Sequence, residues 1–193
     1  MPRKFTEDEA DYIKEALIDE GIKQFSLYGS SKVTVDQLSE TIGISKGAFY
    51  LFYSSKEVLF QCCLEVIQSR INDDIRAMIE SCRQRPERAI KQVIGYALEL
   101  QGIYKAFDQK PNVLKHVREG AERVVLRPHI DGKLLIESFN AVGCTCDFSS
   151  EAVEEVLMHL GHVDMHKDLA GNSSGYKLLV DVCAIGLASY IRI

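Results

Sequence analysis

Proline is scarce in this sequence, and so are runs in which apolar and polar residues alternate. Only 4 of the 193 residues are proline, a residue that interrupts helices by removing a backbone donor. Apolar residues recur instead at spacings of three and four, the period of a helix with one buried face. The sequence therefore predicts an all-α protein of about nine helices.

Long apolar runs are also missing. The longest, Val182 to Ile191, is too short to cross a bilayer, and the first residues lack the apolar segment of a secretion signal. We therefore expect a cytoplasmic protein with no membrane partner. In that reducing compartment the 6 cysteines, none of them in a CxxC pair, are expected to be free thiols.

Motifs of catalysis and metal binding are absent. The sequence contains no P-loop, no HExxH, no paired-carboxylate motif of a catalytic site and no Ser/His/Asp spacing. We therefore expect no enzyme activity and no cofactor. One alternative stays open, because His159, His162 and His166 fall on one helical face and imidazoles suit zinc or nickel. They would make the protein a metal-sensing regulator or, as a weaker alternative, a helical metal-dependent enzyme.

An excess of positive charge is missing too. The net charge is -5, whereas nucleic-acid-binding domains are usually basic. Residues 1–56 hold seven Lys and Arg against nine Asp and Glu, but six of those basic groups lie outside the acidic run Glu7 to Glu20. What decides binding is the sign of one face and not that of the whole chain.

Helix starts and stops are well marked. Three places have capping-box spacing, in which two side chains satisfy each other's free backbone N–H groups: Thr6 with Glu9, Thr34 with Gln37, and Ser54 with Glu57. Gly29 and Gly43 predict the ends of the first two helices, because glycine readily adopts the left-handed conformation found there.

Apolar periodicity predicts the helices that follow. A long helix opens at the third capping box and runs to about Cys82, and another follows Arg85-Pro86. Four more are expected, at Val113–Val125, Ile130–Val142, Glu151 to about Leu160 and Tyr176–Ile193, with a loop between Cys144 and Ser150.

Residues 34–53 point to a function. Two short helices joined by a turn containing Gly43, after a longer helix, are the pattern of a helix-turn-helix, whose second helix enters the DNA major groove. Residues 45–48 are small or polar and can face outward. Phe49 and Tyr53, four residues apart, can pack beneath them.

This segment resembles the TetR family of one-component transcriptional regulators. TVDQL from Thr34 and IGISKGAFYLFYSSKEVL from Ile42 are similar to that family's T-x-x-x-[IL]-A-x-x-A-G-V-S-x-G-x-[LF]-Y-x-[HY]-F-x-[SN]-K-x-x-L. The resemblance covers roughly residues 10–60, and the caps, the turn, the aromatic residues and Lys56 keep one register. Ser39 and Ile42 depart from it, since alanine is usual at both places.

The resemblance implies contacts with double-stranded DNA. Contacts to the DNA backbone are implied for Thr34, Ser45, Tyr50 and Lys56. Contacts in the groove are implied for Lys46, Gly47, Ala48 and Leu51. Phosphate contacts fix the register on the duplex, whereas base contacts choose the sequence. Leucine has only an apolar contact to offer, for example to a thymine methyl group.

The resemblance also implies two domains and a homodimer. Residues 1–54 would form the helix-turn-helix domain, and residues 55–193 an effector-binding and dimerisation domain. The second helix of the motif, here called the reading helix, contacts few base pairs. Two copies would therefore bind a palindromic operator. The apolar residues predicted at the dimer interface, which suit a protomer core equally well, are Val153, Val156, Leu157, Leu160, Leu179, Val182, Cys183, Gly186 and Tyr190.

The C-terminal domain is expected to bind a small-molecule effector. Binding would move the two reading helices out of their half-site spacing and release the operator, which makes the protein a ligand-responsive repressor. The candidate ligand-binding residues form a mixed apolar and polar set that also suits ordinary core. They are Met78, Cys82, Tyr96, Leu100, Tyr104, Phe107, His116 and Phe139.

Overall fold

A computed structural model describes residues 5–107, 129–165 and 173–193. Within these ranges the chain forms eight helices and two short strands. The helices are α1 (Glu7–Tyr28), α2 (Val35–Thr41), α3 (Lys46–Phe52), α4 (Lys56–Ser81), α5 (Pro86–Phe107), α6 (Gly132–Ala141), α7 (Ser150–Met165) and α8 (Ser173–Ala188), and the strands are β1 (Thr145–Cys146) and β2 (Ile191–Arg192). The all-α prediction is confirmed, and the helix predicted at Val113–Val125 lies outside the described residues.

The described chain divides into two compact units. The first contains the residues up to Gln68 and the end of α5 from Ile103, and the second contains Ser69–Gly102 and the chain from His129. The division falls inside α4 and α5. The boundary predicted after residue 54, which lies just before α4, stays a prediction. No helix among the described residues is both long and apolar enough to cross a membrane.

Capping side chains begin the first helices. In the box that opens α1, the Thr6 N–H donates to Glu9 Oε2 at 3.0 Å, and the Glu9 N–H donates to Thr6 Oγ1 at 3.2 Å. The cap of α4 lies one residue later than predicted, because Ser55 Oγ accepts the Val58 N–H at 3.2 Å. Adjacent serines offer the same hydroxyl, so spacing alone does not choose between them.

The core of the first unit lies beneath α2 and α3. All four of the first helices contribute fully buried side chains to it, among them Leu17, Phe25, Leu38, Phe49 and Leu59. The Phe25 and Phe60 rings meet edge to face, with centroids 5.0 Å apart, an arrangement that stabilises beyond area burial. At Gly21 helices α1 and α4 approach so closely that a Cβ atom would lie 2.8 Å from Cys63 Sγ.

The core of the second unit is rich in isoleucine. Ile71, Ile75 and Ile79 follow one another at intervals of four on α4, and all three are buried. The other helices add further buried apolar residues, among them Ile90, Val93, Ile94, Leu135, Phe139, Val153 and Leu157. This spacing is the helical period that the sequence analysis used.

The first residues of α6 and α7 are in close contact through their backbones. The Gly132 N–H donates to Glu154 Oε1 at 2.8 Å, and a Cβ atom at Gly132 would lie 2.2 Å from the Ser150 carbonyl oxygen. That oxygen belongs to the backbone and cannot rotate away. The contact therefore requires glycine at position 132.

The end of the last helix differs from the prediction. Helix α8 ends at Ala188, whereas the sequence predicted a helix to Ile193. Ile191 instead pairs with Cys146, and Arg192 with Thr145, in an antiparallel ladder. The strand β1 of this ladder lies within the predicted loop between Cys144 and Ser150. Ile191 is buried in this arrangement, and apolar periodicity could not reveal it because two residues are too few to show a period.

The close contact at Gly132 gives a testable difference between glycines. We expect Gly132→Ala to lower the free energy of unfolding by about 1–3 kcal/mol, because the added methyl group overpacks a backbone contact. Gly95→Ala is the matched control, since a Cβ atom there meets nothing within 4 Å. In the middle of α5 it should raise the free energy of unfolding by about 1 kcal/mol. Urea denaturation of both variants measures this, and equal effects would contradict the packing described.

Candidate nucleic-acid interface

A tight turn sets the direction of α3. Residues 42–45 connect α2 to α3, and Gly43 takes φ 74° while its N–H donates to the Glu40 carbonyl at 3.1 Å. Ser45 Oγ then accepts the Ala48 N–H at 3.1 Å, which caps the new helix. The predicted turn glycine and the predicted cap are both confirmed.

One side of α3 is anchored in the core of the first unit. Phe49 is fully buried and Tyr53 is 9% exposed, as the sequence predicted. Their ring centroids lie 6.0 Å apart. Burial raises the pKa of Tyr53 to about 12, so this phenol stays neutral across the physiological range.

The opposite side of α3 faces water. Tyr50 is 48% exposed and Leu51 is 66% exposed, although both are large side chains that core positions favour. Of the eight residues implied to contact DNA, the exposed ones are Thr34, Ser45, Lys46, Gly47, Tyr50 and Leu51, and the half-buried ones are Ala48 and Lys56. Six of the eight are therefore accessible to a large partner.

Gly47 has no structural need to be glycine. A Cβ atom there would meet only Ser45 Oγ, at 3.9 Å, and Gly47 is not among the described glycines with positive φ. Glycine inside a helix costs about 1 kcal/mol relative to alanine. Internal packing does not explain this cost, whereas the close approach of an external surface would.

The two exposed hydroxyls already cap helices. Thr34 Oγ1 accepts the Gln37 N–H at 3.3 Å, and Gln37 Oε1 in turn accepts the Thr34 N–H at 2.9 Å. This reciprocal pair opens α2 as the sequence predicted. Thr34 and Ser45 thus mark the starts of α2 and α3, and both residues are exposed. Backbone amide groups at helix starts are suited to phosphate oxygens.

Lys56 has an internal role that the sequence did not predict. Its ammonium donates to the Ser30 carbonyl at 2.7 Å and to the Val33 carbonyl at 2.8 Å, which ties the start of α4 to the loop between α1 and α2. An ammonium has three donors, so one remains for the implied phosphate contact. These acceptors lie more than twenty residues away in the chain, and no local signal indicates them.

Asp36 is a second feature that sequence reasoning missed. Its Oδ2 accepts a hydrogen bond from Lys46 Nζ at 2.9 Å, across the turn, with both side chains exposed. The hydrogen bond and the charge of Asp36 raise the pKa of Lys46. The two residues are ten apart, so helical spacing gave no indication of the pair.

The residues predicted for a dimer interface separate into two groups. On α7, Val153, Leu157 and Leu160 are buried inside the protomer, and Val156 is half-buried. Near the chain end, Leu179, Val182, Gly186 and Tyr190 are exposed and Cys183 is half-buried. Leu178 and Ile185, which adjoin them on the same helix, are also exposed. We call Leu178, Leu179, Val182, Ile185 and Gly186 the α8 stripe.

Five of the eight residues predicted to bind ligand lie in the second unit. Leu100, Cys82 and Phe139 are buried, Met78 and Tyr96 are half-buried, and the Tyr96 hydroxyl donates to Asp74 Oδ2 at 2.6 Å. The side chains of Tyr104 and Phe107, and all of His116, lie outside the described part of the structure. These assignments stay predictions.

An open cleft of about 410 Å³ lies between α4 and α6. Its walls are mainly apolar, with three charged side chains, and none of the residues predicted to bind ligand contributes to them. The lining residues are Arg76, Ala77, Glu80, Leu134, Glu137, Ser138, Ala141 and Val142.

Of the three histidines of the metal-site alternative, the structure describes the side chain of His159. His159 is exposed on α7, whereas the side chain of His162 and all of His166 lie outside what the structure describes. Among the described side chains no three His, Cys, Asp or Glu residues form a metal-binding group. All six cysteines are free thiols, as predicted, and burial raises the pKa of Cys146 to about 11.

These features define an all-α protein with an N-terminal helix-turn-helix. Residues 17–63 match the family model described as bacterial regulatory proteins, tetR family. The match covers the second half of α1, all of α2, the turn and α3, and the start of α4. This match is to the segment whose motif resembled the TetR family of transcriptional regulators, and it confirms that resemblance.

Curated relatives agree with this assignment. The nucleoid occlusion factor SlmA of Glaesserella parasuis is 30% identical over 99 residues, which cover 51% of this chain and 47% of that protein. The HTH-type transcriptional regulator AcrR of Shigella flexneri is 21% identical over 152 residues, 79% of this chain and 70% of that one. The matched part of the chain thus spans less than half the length of SlmA.

Solved structures share the fold. A candidate TetR-family regulator from Mesorhizobium loti is 13% identical with a TM-score of 0.65, and the match covers 98% of this chain and 100% of that one. A TetR-family regulator from Marinobacter aquaeolei is 14% identical with a TM-score of 0.55, over 97% and 99% of the two chains. At these identities the likeness concerns the fold alone.

The Lys56 contacts can be tested by removing the ammonium. We expect Lys56→Met to lower the free energy of unfolding by about 2 kcal/mol or more, because two carbonyls lose a charged donor while the apolar stem is kept. Lys32→Met is the control, since Lys32 is exposed. Urea denaturation followed by circular dichroism checks this. Equal stability of the two variants would mean that the ammonium does not hold the loop.

Proposed function

We propose that the chain is a cytoplasmic repressor that binds a palindromic DNA operator as a homodimer and is released by a small-molecule effector. It acts by binding and carries out no enzyme reaction. The observation that carries this proposal is Gly47, an exposed glycine in a short helix whose packing would accept a larger residue.

The exposed face of α3 suits a DNA groove. The Lys46 ammonium can donate to the O6 and N7 acceptors of guanine, Gly47 lets the backbone come close, and Leu51 offers an apolar surface to a thymine methyl group. Tyr50, with its hydroxyl, can reach a phosphate oxygen. The anchoring of Phe49 in the core keeps these groups on one rigid surface, as specific recognition needs.

The α8 stripe supports the homodimer. Leu178, Val182 and Ile185 recur at intervals of four and three on one helical face, and each is more than half exposed. A row of exposed apolar residues on one face is typical of a protein interface. A second copy of the same stripe would cover it in a two-fold dimer, and Gly186 would let the helices approach closely.

The effector would bind in the second unit. The cleft between α4 and α6 combines apolar walls with Arg76, Glu80 and Glu137, so a small organic molecule with polar groups fits its chemistry. A compound that binds there would raise the melting temperature by mass action. One that also lowers the affinity for DNA would qualify as the effector.

The DNA-binding proposal is tested by filling the space at Gly47. Duplexes are first enriched from a random library by the wild-type protein, and affinity for the best of them is then measured by fluorescence anisotropy. We expect Gly47→Ala to weaken this binding at least tenfold, because the methyl group prevents close approach, while helix propensity leaves the free energy of unfolding equal or up to about 1 kcal/mol higher.

Gly95→Ala serves as the matched control, because it makes the same change at another open helical position, in the second unit. It should leave DNA affinity unchanged. If the wild-type protein enriches no sequence, or if Gly47→Ala binds as tightly as the wild type, the assignment of α3 as the reading helix is wrong.

The dimer is tested by a charge in the α8 stripe. We expect Val182→Asp to give a monomer, because a carboxylate buried without a partner opposes association. Sedimentation velocity measures the state. Leu27→Asp is the control, since Leu27 is an equally exposed apolar residue of α1, and it should remain dimeric. A wild-type protein that sediments as a monomer at micromolar concentration would contradict the proposal.

A further inference from the structure

The segment that contains the reading helix has few basic residues. Between residues 30 and 56 the basic residues are Lys32, Lys46 and Lys56. The ammonium of Lys56 is bound to two loop carbonyls. Lys32 and Lys46 are left as the exposed cations of this segment, and Lys46 is held by the carboxylate of Asp36. One of the two exposed positive charges is therefore neutralised within the protein.

The ion pair has little to do with holding the fold. Its side chains are 54% and 67% exposed, and exposed pairs of this kind contribute little to stability. Helix α2 is fixed instead by buried Leu38, and α3 by buried Phe49. The Asp36–Lys46 bond is thus free to break when a ligand competes for either partner.

The position of the pair makes such competition unavoidable on DNA. Lys46 is the first residue of α3, beside Gly47 and ahead of exposed Tyr50 and Leu51, so a duplex that meets this face also meets Asp36. A phosphate close to Asp36 is repelled by its charge. A phosphate that binds Lys46 displaces the carboxylate of Asp36 from it. One anion then replaces another beside the ammonium, so the exchange adds little binding free energy.

We propose that Asp36 is a specificity-determining residue, which withholds Lys46 from DNA phosphates and releases it where a base edge offers a better acceptor. Guanine offers two acceptors, O6 and N7, that suit a lysine ammonium, and a neighbouring cytosine offers an amino group that the freed carboxylate accepts. The carboxylate thus weakens binding to random sequence more than binding to the operator. This inference rests on the proposed DNA-binding function.

The test removes the charge of Asp36 and compares two duplexes of equal length. One is the enriched operator and the other is random sequence, and affinities are measured by anisotropy over a range of salt concentrations. We expect Asp36→Asn to raise the affinity for random duplex roughly fivefold and to steepen its salt dependence by about one released ion. The affinity for the operator should rise by less, so the ratio of the two affinities falls.

Three further variants make the result specific. Asp36→Ser removes the same charge with a side chain that suits a helix start, and it should reproduce the effect even if the amide disturbs the fold. In a Lys46→Gln background, Asp36→Asn should give a clearly smaller gain, because no lysine is set free. Asp73→Asn breaks an exposed pair with Arg76 in the second unit, changes the net charge equally, and should alter neither affinity.

The outcomes separate this inference from the function on which it rests. If the wild type prefers its operator but Asp36→Asn and Asp36→Ser change both affinities by one factor, or change neither, the role of Asp36 is overturned and DNA binding stands. The same holds if the gain persists undiminished without Lys46. If the wild type binds no duplex, both proposals fall.

Discussion

The buried contact of Phe49 with the core of the first unit is the interaction on which the rest depends. Helix α3 has seven residues, and an isolated helix of that length is not stable in water. Its position therefore comes from tertiary packing, from the Ser45 cap and from the turn at Gly43. Because one side is fixed in this way, the other side can present groups that serve no internal purpose.

Local spacing carried most of what the sequence could predict. The caps at Thr6, Thr34 and Ser45 and the burial of Phe49 and Tyr53 all depend on residues three or four apart, and all are found in the structure. The acceptors of Lys56, the Asp36–Lys46 pair and the short β-ladder join residues that are distant in the chain. Apolar residues also look alike in sequence, which is why core and exposed surface on α7 and α8 could not be separated.

Two glycines show how the structure refines a sequence signal. At Gly132 an added methyl group would collide with a carbonyl of the neighbouring helix, whereas at Gly47 it would enter open space. The first glycine is explained by the protomer itself. The second is not, and the sequence alone could not distinguish these cases because the residue type is the same.

The clamp at Lys56 uses neutral acceptors, and this has a consequence for measurements in salt. Backbone carbonyl oxygens carry no net charge and are not protonated in mild acid. Dissolved ions therefore weaken their hydrogen bonds with the half-buried ammonium far less than they weaken an exposed ion pair. The loop before α2 stays attached to α4 as ionic strength rises. For the proposed DNA-binding function, a loss of affinity on adding salt would then report on ions displaced from the duplex, with α3 still in place.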